Sequence, residues 1–101
     1  RLLVPDANSE SSYHLFVIIF NSSLYARKFM EYMQKRGIAA TFHYVPLHKS
    51  KMASKNFKQR LKITENIYNK IVRLPLFVEM NEKIIKKINS NIKSYVNEQK
   101  K

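Results

Sequence analysis

The residues best equipped for chemistry stand together in Thr41-Phe42-His43-Tyr44-Val45-Pro46-Leu47-His48, which holds two imidazoles and a phenol. Both groups donate to phosphate or hydroxyl oxygens, and histidine changes charge near neutral pH. The cluster lies where an apolar run meets Pro46 and turns into a basic loop, and strand ends with their following loops are the usual places for sites. In a regular strand His43 and Tyr44 point to opposite faces, and Ile38, Ala40 and Phe42 share a face with Tyr44. Two readings stand level: Tyr44 caps a core with His43 outward, or both rings meet a ligand.

Other chemistries find less support. The spacing of His43 and His48 matches no compact metal motif, and no nearby carboxylate or cysteine completes a ligand set, so no metal is expected. His14 sits in an apolar run and reads as a hydrogen-bonded core histidine. Glu31, Glu65, Glu79, Glu82 and Glu98 read as helix-surface or cap-region residues, which leaves no carboxylate dyad. Nucleophile-elbow and dinucleotide motifs are absent, and a single glycine excludes a glycine-rich phosphate cradle. Taken alone, the chain has no recognisable catalytic apparatus.

The elements that must position the cluster follow from periodicity. Tyr13 to Phe20 is β-branched and aromatic almost throughout, which predicts a strand buried on both faces. Asn21-Ser22-Ser23 offers N-cap oxygens to a helix from about Leu24 to Arg36, with Ala26, Phe29, Met30 and Met33 on one side. Lys35 and Arg36 suit its negative end, and Gly37 stands where a left-handed exit residue is wanted. Ile38 to Val45 predicts a second strand, closed by Pro46. Leu47 to Lys62 is basic and irregular, with Met52 and Phe57 as isolated anchors and room for a short helix.

Further on, Thr64 suits the cap of a third element with Ile67, Tyr68, Ile71 and Val72 on one face, and Ile63 is placed to staple onto Tyr68. Arg73 to Phe77 breaks that element and supplies a short edge strand. Asn81 caps a last helix whose apolar face is Ile84, Ile85, Ile88, Ile92, Tyr95 and Val96, and Asn97 to Lys101 reads as a frayed tail. The sum is an α+β domain: a small antiparallel or mixed sheet with helices packed on one face.

Composition sets the outer limits. One domain is expected from 101 residues, and 45% apolar content argues against disorder. There is no cysteine, so no disulfide and no thiolate nucleophile. The apolar run Leu15 to Phe20 is far below the roughly 18 residues that span a bilayer, and no leader pattern opens the chain. A cytoplasmic setting without membrane attachment is the expectation. The first residue is Arg1 rather than methionine, which suggests a piece of a longer protein. A net charge of +12 favours anionic partners, yet scattered lysines more often mark a solvated surface. A free-standing nucleic-acid module, motivated by that charge and by Phe42, Tyr44 and Phe57 near lysines, lacks any recognition-helix or stacking-sheet motif, so nucleic acid is not expected.

Taken in order, these features resemble the C-terminal small domain of the DegT/StrS-type nucleotide-sugar aminotransferases. Ser12-Tyr13-His14-Leu15-Phe16-Val17-Ile18 is similar to the family's first small-domain strand, and Arg27 through Gly37-Ile38 to its following helix. His43-Tyr44-Val45-Pro46-Leu47-His48 and Arg73-Leu74-Pro75-Leu76-Phe77 are similar to two further segments of the family. Met33 stands where the family usually has leucine, and Lys49 to Lys62 lacks the Pro/Gly turn often found there. The wording around His43 is nearest to transaminases that place an amine at the fourth carbon of a dTDP-sugar.

Residues 1–12 read as an entry linker, since Pro5-Asp6-Ala7-Asn8-Ser9 favours a turn, and the resemblance implies that 13–101 are the small domain of a fold-type-I enzyme. Its pyridoxal phosphate and Schiff-base lysine would belong to an absent large domain, with no cofactor bound by this piece alone. His43, Tyr44 and His48 would contact a dTDP- or UDP-linked sugar, and Lys49 or Lys51 its diphosphate. Arg27 reads as a helix-surface or domain-contact residue. The resemblance further implies glutamate as amino donor, a homodimer, and a role in cell-surface polysaccharide or lipopolysaccharide synthesis. By itself the piece would not transaminate, and a truncated, inactive remnant is the remaining alternative.

Overall fold

Ser22 starts the first helix, α1 (Ser23–Gln34), by accepting the Tyr25 N–H on its hydroxyl at 3.3 Å. The exit is equally specified. Gly37 takes φ +70°, its N–H bonds Gln34 O and the Ile38 N–H bonds Met33 O, each at 3.0 Å, which is a Schellman closure. A reversal this tight returns the chain along the face that α1 has just buried, where Ile38 and Ala40 join the core.

The computed structural model describes residues 1–56 and 59–100 of the chain. Its sheet is antiparallel and three-stranded, built from β1 (Phe16–Ile19), β2 (Thr41–Phe42) and β3 (Ile71–Leu74) in the order β1-β3-β2. Val17 and Thr41 both pair with Arg73, while Ile18 and Phe42 both pair with Val72. Short helices α2 (Lys51–Asn56) and α3 (Lys62–Ile67) precede β3, and α4 (Glu82–Gln99) closes the chain. None of the described helices is long and apolar enough to cross a membrane.

The core lies between one sheet face and α1 with α4, and Ala26, Phe29, Met33, Val72, Leu74, Ile88 and Tyr95 are buried in it with Ile38 and Ala40. Phe29 stacks edge-on to Tyr95 at 5.1 Å and tilts against Phe20 at 5.1 Å, geometries that add to simple burial. Asn81 caps α4 by accepting the Ile84 N–H at 3.0 Å. The expected α+β class with helices on one face is the one observed.

Several local expectations are corrected. The first strand is short and lies at the sheet edge, because Arg1 to Leu3 rather than another strand runs along its outer side: Leu2 bridges Ile18 and the Leu3 N–H reaches Val17 O at 3.2 Å. His14 is therefore exposed, held by Ser12 Oγ at 2.6 Å, and not a core histidine. The second strand contracts to Thr41–Phe42. Ile71 and Val72 belong to β3 rather than to a helix face, because a 3₁₀ turn over Tyr68–Lys70 ends the helical stretch. The edge strand expected after Arg73 is in fact the central one.

Helix α3 starts at Lys62 without a Thr64 cap, and Ile63 and Met52 are exposed instead of anchoring. A short helix does form in the basic stretch, as α2, whereas Phe57 lies outside the described residues. On α4, Ile85 and Val96 are each 44% exposed, so the buried stripe is narrower than the periodicity suggests. The helix also continues to Gln99, through most of the tail expected to fray.

Candidate functional site

Two residues past β2 the chain leaves the sheet, and the site forms there. Ladder pairing stops at Phe42, so alternation no longer dictates orientation. Tyr44 is 73% exposed and caps no core, while His43 is the half-buried partner. Their rings sit 5.3 Å apart at 58°. Nδ1 of His43 is buried and without a hydrogen-bond partner among the described residues. Beside them opens a groove of about 440 Å³, lined by His43, Tyr44, Pro46, Ile67, Tyr68 and Ile71 among others. Apolar walls with a few polar groups are the usual make-up of a small-molecule site.

The structure divides the expected site residues. His43 and Tyr44 share the groove. His48 sits in the 3₁₀ turn Leu47–Lys49, and its Nε2 lies 3.2 Å from Glu65 Oε1 with only 11% of the side chain exposed. Its place is the hinge of the basic stretch rather than the groove wall. Lys49 lies over the Tyr68 ring at 5.3 Å, close to the groove, and Lys51 is exposed at the start of α2. Among the described residues no three histidine or acidic side chains converge on a point that could hold a metal.

Two residues were not foreseen as parts of the site. Glu65 accepts from the Leu61 N–H at 3.2 Å and pairs with Arg60 at 3.4 Å as well as His48, so it ties both ends of residues 49–60 to α3. Burial pushes its carboxyl up, but the bonds from Leu61, Arg60 and His48 outweigh that, and its pKa falls below the usual glutamate value. Arg73 projects from the centre of β3 with its guanidinium 5.2 Å from the Tyr44 ring centroid. It opens the Arg-Leu-Pro-Leu-Phe string, the one local signal that could have singled it out. No spacing rule links Glu65 to His48, 17 residues away.

Chemically the arrangement offers donors and a cation beside an apolar groove, which suits a ligand with oxyanions and a hydroxyl-rich or planar part. The family model for DegT/DnrJ/EryC1/StrS aminotransferases matches residues 2–93. A UDP-4-amino-4,6-dideoxy-N-acetyl-beta-L-altrosamine transaminase of Helicobacter pylori is 29% identical over 89 residues, covering 85% of this chain and 24% of that protein. Among solved structures, Helicobacter pylori PseC, an aminotransferase involved in pseudoaminic acid biosynthesis, superposes with a TM-score of 0.71 at 28% identity over 83% of this chain and 24% of the other. The chain thus spans about a quarter of the length of each.

Proposed function

The chain belongs to the DegT/DnrJ/EryC1/StrS aminotransferase family, and from that premise we propose that it is the small domain that closes over the substrate of a nucleotide-sugar aminotransferase. The complete protein moves an amine from a donor such as glutamate to a keto-sugar linked to UDP or dTDP. Its product serves cell-surface polysaccharide or lipopolysaccharide synthesis in the cytoplasm, and it works as a homodimer. The Helicobacter pylori relative, whose name specifies a UDP-linked amino sugar, supports the substrate class.

One observation carries the reading at the level of residues: His43 and Tyr44 leave β2 together, uncommitted to the core, at the mouth of a groove. There the His43 ring donates to or accepts from a sugar or phosphate oxygen, and the Tyr44 hydroxyl donates to a second. Their ring faces, with Ile67 and Ile71, keep water from one side of the ligand. Residues 1–12 form the entry segment, whose first three residues flank β1, and 13–101 make up the rest of the small domain.

The family's cofactor chemistry is that of pyridoxal phosphate, and this chain does not fit the part of its holder. No described lysine is buried, and the lone glycine is committed to closing α1. The Schiff-base lysine is assigned to the rest of the protein, and the present residues bind and orient the nucleotide-sugar. In the complete protein, replacing His43 and Tyr44 together, by Ala and Phe, lowers turnover of the nucleotide-sugar at least about tenfold while cofactor absorbance stays unchanged. Unaltered turnover in the double variant removes these residues from the site.

A further inference from the structure

Arg73 poses a problem that the fold does not solve. Its neighbours directly across β1 and β2 are Val17 and Thr41, neither of which carries charge. Its Nε is buried and unbonded among the described residues. The acids that pair in the structure are engaged elsewhere: Glu65 with His48 and Arg60, Glu82 with Lys86, and Glu98 with Arg36. A half-buried guanidinium with a buried nitrogen and no ion pair among the described residues is unsatisfied, and native structures resolve such cases with a partner.

The surroundings indicate what that partner is. The guanidinium lies over the Tyr44 ring, 5.2 Å from its centroid, so the cation already has an aromatic neighbour and needs an oxygen partner for its N–H groups. The planar fork of a guanidinium matches a carboxylate or a phosphate. His43, whose ring sits 5.3 Å from the same phenol, carries a second buried nitrogen that is unbonded among the described residues. The excess of basic residues draws anions toward the whole surface, but Arg73 differs from the surface lysines in being half-buried and fixed by a ring.

We propose that Arg73, which lies against Tyr44 at the edge of the groove, is an oxyanion-binding residue that pairs with a phosphate or carboxylate group of the ligand held there. The proposal rests on the nucleotide-sugar reading, which offers two sources of that group: the diphosphate of the sugar nucleotide and the carboxylate of the amino donor. Arg73 then fixes the ligand's charged end while His43 and Tyr44 meet its neutral part.

The test is isothermal titration of the complete protein with UDP, inorganic pyrophosphate and glutamate, for the wild type, Arg73→Met and Arg73→Lys. Arg73→Met is expected to weaken one ligand at least about tenfold, with melting temperature and cofactor absorbance unchanged. Loss of UDP and pyrophosphate together assigns the diphosphate, and loss of glutamate alone assigns the donor carboxylate. Should Arg73→Met fold poorly, Arg73→Lys keeps the charge without the planar fork, and a clear loss there supports the pairing equally. Wild-type affinity for all three ligands in whichever variant folds overturns the proposal. If that happens while replacing His43 and Tyr44 still abolishes UDP binding, the inference about Arg73 falls and the nucleotide-sugar reading survives. A wild-type protein that binds none of the three sinks both.

Discussion

The two faces of β3 do opposite work. Toward α1 and α4, Val72 and Leu74 are buried among apolar side chains and complete the core. Toward the other face, Ile71 and Arg73 stay half-exposed, and Arg73 ends beneath an exposed tyrosine with a nitrogen left unbonded. Because side chains alternate along a strand, one short segment meets both demands without compromise. The lesson is that core packing and the proposed ligand contact fall on opposite parities of one strand, and substitutions should sort accordingly.

The largest expected effect tests the core face. Phe29→Ala removes a ring that touches Phe20 and Tyr95 and should cost about 3–5 kcal/mol, a large share of a small domain's stability, read from urea unfolding. A loss below about 1 kcal/mol would mean the helices and sheet are not held as described.

Gly37→Ala comes next, at about 1–2 kcal/mol. An added Cβ meets only Lys87 Nζ at an ordinary 3.8 Å, so the penalty comes from φ +70° alone. A neutral result would show that the closure of α1 has another conformation in solution.

Smallest at neutral pH, and on the site side, is Glu65→Gln. The folded carboxyl titrates below its ordinary value of about 4.5, so its contribution is fully present above that value and fades as pH falls through the lowered one. Unfolding curves of the variant and wild type should therefore differ at pH 7 and converge in acid. Curves that stay parallel throughout would detach Glu65 from His48, Arg60 and the Leu61 N–H.

How far the sequence discloses this depends on how local each signal is. The helices α1 and α4 were legible because period and caps agree: Ser22 and Asn81 accept the expected N–H groups, and Gly37 turns left-handed where one was wanted. Ile71 and Val72 deceived because four β-branched or apolar residues at the spacing of Ile67, Tyr68, Ile71 and Val72 fit a helix face, and only the turn at Tyr68–Lys70 decides for a strand. His43 and Tyr44 were visible as a cluster, but their orientation was not, since it follows from where pairing ends. The parts of Glu65 and Arg73 depend on chain segments brought together only by the central position of β3, which no local pattern announced.

The company that β1 and β2 keep has a further consequence, for the edges of the sheet. Sheets with free backbone edges recruit strands from other molecules and grow into aggregates. Here one flank is occupied by Arg1 to Leu3, with the Ile19 N–H bound to Arg1 O at 2.7 Å, and the other offers only two residues before the chain veers toward Pro46. The outer backbone groups of Phe16–Ile19 are thereby paired within the molecule, which removes one template for strand addition.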